Sequence, residues 1–163
     1  MVSSTVDNDR AEMLNLLPNT MSQIPMQLTL CRTGPPNDHP MRWHWSLKLS
    51  PLCPTLDSDL NMTHFYYATN AADAEGFVVR HRTSSTGRPP ALSQPGYDIS
   101  AISAEDVSRA QLILNSHPCR NDVAEWNCQD WVTSSLAQLR SEGLISQAAL
   151  KEFEKWTADL ASA

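Results

Sequence analysis

Cys128 follows Asn127 in the run Trp126-Asn127-Cys128-Gln129-Asp130-Trp131-Val132, which places a thiol at the first position of a helix. The Asn127 side chain can accept from the unpaired N–H groups of the first turn. Asp130, three residues on, completes a capping box and puts a negative charge at the positive end of the helix dipole. Those N–H groups and that dipole lower the pKa of a thiol and can also receive an oxyanion, so the chemistry on offer is nucleophilic. From Cys128, residues Trp131, Val132, Ser135, Leu136 and Leu139 recur with helical period, which sets the thiol at the edge of the buried face. Gly143 marks the end, and the spacing predicts a helix over 128–142.

A thiol nucleophile needs an imidazole to take its proton and a third polar group to fix the ring. Of five histidines, His39 and His117 read as surface residues at a loop and a helix end. His81 lies between Arg80 and Arg82, two charges that disfavour its protonation. His44 differs, because Trp43, Trp45, Leu47 and Leu49 alternate with His44, Ser46 and Lys48 in the clearest strand of the chain. That alternation turns His44 away from both tryptophans. The competing reading makes Cys128 a packed thiol and His44 a solvated sheet residue.

With 163 residues, 41% of them hydrophobic, and five tryptophans, the chain can bury one core and reads as one domain. A net charge of −6 argues against nucleic acid or an anionic membrane surface, which call for clustered Lys and Arg. The expected partner is a small molecule or a peptide. No apolar run reaches the roughly 20 residues of a membrane span, and the first residues lack a basic start and apolar stretch, so the expected location is cytoplasmic. Cys31, Cys53, Cys119 and Cys128 are too unevenly spaced for a zinc site, and in a reducing compartment they are free thiols. No cofactor or metal is called for. Arg80, Arg82 and Arg88 can meet a carboxylate or phosphate, and the aromatic-rich strands and a long Pro-containing loop leave room for a homodimer surface.

Residues 1–24 read as a flexible tail and 25–163 as the domain. Strands are predicted over 26–31, 43–49, 64–69, 77–82 and 97–101, the third and fourth forming a hairpin. Residues 83–96, with Pro89, Pro90, Pro95, Gly87 and Gly96, read as a loop. Ser103 with Asp106 starts a helix that ends at His117-Pro118, and a last amphipathic helix begins near Ser146 and carries Leu150, Phe153, Trp156 and Leu160. Strands first and helices after point to an α+β fold, an antiparallel sheet of about five strands packed against helices.

A Trp43-His44-Trp45-Ser46-Leu47 strand followed by a helix opening Asn127-Cys128 and ending near Glu142-Gly143-Leu144 resembles the permuted papain-like proteins. That superfamily includes the lecithin:retinol acyltransferase-like and NlpC-related enzymes. Over residues 26–145 the chain is more closely similar to small fungal proteins that share both motifs. The resemblance implies a permuted papain-like α+β domain, Cys128 as nucleophile, His44 as general base and later acid, and a polar residue on the next strand orienting His44. Similar proteins carry a histidine there, after an aromatic, where this chain has Tyr66-Tyr67-Ala68. Tyr67 can orient an imidazole, although it cannot stabilise imidazolium as a carboxylate does. His64 lies on the opposite face of an ideal strand and substitutes only if that strand is turned.

The leading expectation is a thiol-dependent enzyme acting on an acyl, amide or ester group. Trp43, Trp45, Tyr66, Trp126, Asn127, Trp131 and Arg80 are its candidate substrate contacts. The alternatives keep the pocket for a non-hydrolytic step such as cyclisation or addition in fungal small-molecule biosynthesis, or make the chain a non-catalytic binding module.

Overall fold

The computed structural model describes residues 24–35, 38–39, 43–53, 56, 61–70, 75–85 and 93–162. The expected tail over 1–24 and Arg88 lie essentially outside these residues. Five strands come first, β1 (Met26–Thr33), β2 (His44–Pro51), β3 (Thr63–Asn70), β4 (Phe77–Ser84) and β5 (Ser93–Ile102). A 3-10 turn (Ala104–Asp106) then leads into three helices, α1 (Val107–Ser116), α2 (Cys128–Ser141) and α3 (Gln147–Ala161). The sheet is antiparallel throughout, in the order β4-β3-β2-β1-β5. This is the α+β architecture that strands followed by helices imply.

One face of the sheet packs on the helices. Leu28, Leu30, Trp45, Leu47, Leu49, Tyr66 and Ala68 meet Trp131, Val132, Leu136 and Leu139 of α2 and Phe153 of α3, all essentially without solvent exposure. β1 is less one-sided than its alternation suggests. Thr29 and Cys31, on the face away from the helices, are buried as well as Leu28 and Leu30, while Arg32 shares the helix face with Leu28 and Leu30 and reaches the Trp156 ring of α3. Of the described helices, none is long and apolar enough to cross a membrane.

The loop predicted over 83–96 is shorter than expected, since β4 continues to Ser84 and β5 begins at Ser93. Pro95 falls where the β1–β5 register shifts between Leu30 and Arg32 and has no ladder partner there, a position that tolerates a residue without an N–H. Gly96 sits at a register shift between Leu30 and Arg32, and a Cβ there would stand 2.8 Å from the Leu30 carbonyl oxygen. At the other end of the domain α2 stops in a Schellman motif. Gly143, with φ of 76°, donates to the Arg140 carbonyl and Leu144 to the Leu139 carbonyl.

Candidate active site

The start of α2 is built as the sequence implies. The Asn127 side-chain oxygen accepts from Gln129 N–H at 2.8 Å, and the Asn127 N–H donates to Asp130 at 2.9 Å, closing a capping box. A cap of this kind contributes about 1 kcal/mol and fixes the first turn in place. Asn127 is therefore a capping residue. Two residues upstream, Glu125 holds φ at 63°, an uncommon conformation for a residue with a Cβ, and its carbonyl accepts from the Asn127 amide at 3.3 Å.

This helix end abuts the beginning of β2, where the sheet leaves a gap. The β2–β3 ladder is confined to Leu47–Leu49 against His64–Tyr66, so His44, Trp45 and Ser46 pair with β1 alone. α2 supplies the missing partners: the Trp45 backbone N–H points to the Cys128 thiol, and Gln129 Nε2 donates to the Trp43 carbonyl at 3.4 Å. Backbone N–H groups of Cys128 and Gln129 also face the sulfur. Cys128 is half-buried against the core.

Burial pushes the Cys128 thiol above its ordinary value and the nearby Asp130 charge adds to this, outweighing the three N–H groups. The sequence predicted the reverse, a thiol lowered by the helix end. The capping carboxylate and the packed surroundings explain the difference. His44 is moved the other way, burial holding its imidazole neutral below the usual histidine range.

His44 stands on the face opposite the helices. Its ring meets Tyr67 edge-on, with centroids 5.7 Å apart and planes at 85°. Together with Thr33, Ser46, Phe65 and Arg82 these two line a depression of about 220 Å³. Thr33 is the β1 partner of His44, and Arg82 the β4 partner of Phe65, so register assembles the lining from four strands. Among the described residues no hydrogen bond joins the imidazole to the thiol. Cys128 approaches the end of β2 from the helix side, with the His44–Trp45 peptide between them.

Of the remaining expected contacts, Trp43, Trp45, Tyr66 and Trp131 fall into the core, whereas Trp126 and Arg80 do not. Trp45 is 1% exposed against Phe153 and Trp156, and Trp131 is fully buried with its N–H donating to the His117 carbonyl at 3.2 Å. Trp43 precedes β2, lies over Gly34, where a Cβ would overlap its ring, and donates to the Pro35 carbonyl at 3.1 Å. The Arg32 guanidinium stands 4.9 Å from the ring centres of both Trp43 and Trp156. Trp126 is half-buried and meets Phe77 edge-on at 5.5 Å. Arg80 is exposed on β4 opposite Tyr67. Thr33, Ser46 and Phe65 were missed by sequence reasoning. The parity of Ser46 with His44 and of Phe65 with Tyr67 was the available signal for two, whereas Thr33 depends on strand register.

His64 keeps to the helix face, opposite Leu49. Four residues separate Leu49 from Trp45, roughly 13 Å along the strand. Its Nδ1 lies 3.0 Å from His81 Nε2, and Tyr66 stacks on His81 at 4.6 Å. Burial, then the other ring's charge, lowers His64, while His81 is lowered by burial, not by the flanking arginines. Burial raises the Tyr66 hydroxyl. His117, expected at the surface, is half-buried and ties α1 to α2 through Gln138 at 2.6 Å and Ser134 at 2.8 Å.

The histidine shifts set the acid behaviour of the fold. A histidine whose folded pKa lies below its unfolded value of about 6.5 leaves stability intact above that pH and loses it as the unfolded chain takes up protons below it. The melting temperature is expected to fall between about pH 7 and pH 5, and His64→Gln to flatten that fall. Thermal melts across this range decide, and an unchanged slope in His64→Gln would remove the paired imidazoles from the explanation. Compared with family models, with curated proteins and with solved structures, the chain finds no match in any of the three.

Proposed function

We propose that this chain is a cysteine-dependent enzyme acting on an acyl, amide or ester group of a small molecule or peptide, with Cys128 as nucleophile and His44 as general base and then acid. The observation that carries this reading is the setting of the sulfur, at the first position of a capped helix with the N–H groups of Trp45, Cys128 and Gln129 turned to it. Donors so placed can receive the oxygen of a carbonyl under attack. The Trp45 N–H that faces the sulfur belongs to the peptide that follows His44, so thiol and imidazole flank one peptide unit at the start of β2, and the reading requires this end of the strand to shift for the ring to reach the sulfur.

With thiol and imidazole both neutral at rest, the Sγ proton passes to His44 as the S–C bond forms and the carbonyl electron pair moves to oxygen. The imidazolium then protonates the leaving nitrogen or oxygen as its bond to carbon breaks. Water, giving its proton to His44, opens the thioester and restores the thiol. Tyr67, edge-on to His44, orients the ring. A cytoplasmic setting suits such chemistry, since it keeps the four free cysteines reduced.

The test is acetylation by 4-nitrophenyl acetate, read by peptide mass spectrometry. One acetyl group on Cys128, formed faster than on exposed Cys53 and lost in Cys128→Ala, is the expected result. Acetylation of Cys53 at the same rate as Cys128 would discard the nucleophile. A second reading has one observation in its favour: among the described residues the His44 depression gathers an imidazole, three hydroxyls and a guanidinium but not the thiol. That set suits acid–base steps such as cyclisation or addition. It requires turnover to survive Cys128→Ala.

A further inference from the structure

Building on the placement of His44 at the reacting centre, we propose that the depression beside it selects a small substrate bearing a single carboxylate, held by the Arg82 guanidinium over the Phe65 ring. Three strands bring Lys48, Phe65 and Arg82 into one row, Lys48 pairing with Phe65 and Phe65 with Arg82. In the neighbouring row Tyr67 pairs with Arg80. A chain of net charge −6 thus gathers three cations on one half of one sheet face. Among the described residues the nearest acid by strand register, Asp98, lies across β1 and accepts from the Thr29 hydroxyl at 2.8 Å.

The Arg82 Cζ stands 5.2 Å from the centre of the Phe65 ring, and no carboxylate is among the described residues that line the depression. A guanidinium over an aromatic face keeps its N–H groups directed outward in its own plane, the geometry that takes a carboxylate through two parallel hydrogen bonds. Phe65 is 2% exposed and gives an apolar floor beside that fork. Thr33, Ser46 and Tyr67 offer hydroxyls for the rest of the ligand, and His44 meets its reacting end. The volume of about 220 Å³ falls below the roughly 300–1,000 Å³ of sites for drug-sized ligands, which limits the substrate to a small acid. One guanidinium in the lining matches one negative charge, which favours a carboxylate over a phosphate dianion.

The probes are benzoate, benzamide and phenyl phosphate, titrated into the wild type, Arg82→Gln and Cys128→Ala while the His44 ring resonances are followed by NMR. Benzoate is expected to shift His44 saturably, with benzamide weaker by at least tenfold and Arg82→Gln weakening benzoate about ten- to a hundredfold. Cys128→Ala is expected to bind benzoate as the wild type does. Failure of benzoate to move His44, equal binding of benzamide, or undiminished binding to Arg82→Gln would overturn the proposal. Tighter binding of phenyl phosphate would replace the carboxylate with a phosphate. Binding measured in Cys128→Ala does not depend on thiol chemistry, so a failed acetylation test leaves this result standing.

Discussion

His44→Ala is expected to slow acetylation of Cys128 by about a hundred- to ten-thousandfold, the usual worth of a positioned general base. The size of the effect follows from the protonation states at rest. Burial pushes the Cys128 thiol up and the His44 imidazole down, so at neutral pH neither is charged and little thiolate is available without a base. In the wild type the rate should hold as pH falls to about 6.5 and drop only once His44, whose folded pKa lies below that value, takes a proton. His44→Ala should lose that acid limb and react only as hydroxide generates thiolate. Simple alkylation by iodoacetamide gives the complementary reading: the half-buried thiol is expected to react appreciably only above the ordinary thiol range near pH 8.5. Stopped-flow acetylation across pH, with Cys53 as an internal reference, measures both. A His44→Ala rate within threefold of the wild type, with the same profile, would discard His44 as the base.

The parts of this site that were legible in the sequence are those set by local chemistry. Asn127 and Asp130 announce the helix start through capping, and the alternation of Trp43 to Leu49 separates His44 from the tryptophans before any tertiary contact is known. The gap beside β2 is different. It exists because the β2–β3 ladder stops at Leu47 and Tyr66, a property of strand register that no single strand encodes. Without that gap Trp45 N–H would face a neighbouring strand, not a thiol. The reversed shift of Cys128 is likewise tertiary, since partial burial against the core and the Asp130 charge disfavour the thiolate by more than the N–H groups at the helix end favour it. His117 was misread for a related reason: its position before Pro118 signals a helix end, whereas its bonds to Ser134 and Gln138 depend on how α2 lies against α1. Tyr66, Trp45 and Trp131 were weighed as substrate contacts because aromatic residues serve both cores and pockets, and burial separates the two uses.

Trp131→Ala is expected to cost about 3–5 kcal/mol, a large part of the roughly 5–15 kcal/mol by which domains are stable. The indole is fully buried between the sheet and α1, and its N–H satisfies the His117 carbonyl at 3.2 Å. Removing it leaves a cavity and also strips a partly buried acceptor of its donor, and the two losses add. The consequence reaches the site, because Trp131 lies one turn after Cys128 and its packing sets where the helix end meets β2. Trp131→Phe separates structure from substrate binding. It keeps most of the ring and gives up the N–H, so it should lower stability by about 1–3 kcal/mol while the protein that remains folded is acetylated at the wild-type rate. Urea denaturation gives the stabilities and the acetylation assay the rates. If Trp131→Ala lost less than about 1 kcal/mol while the acylation KM rose, the indole would be a substrate contact after all, and the core described around it would have to be redrawn.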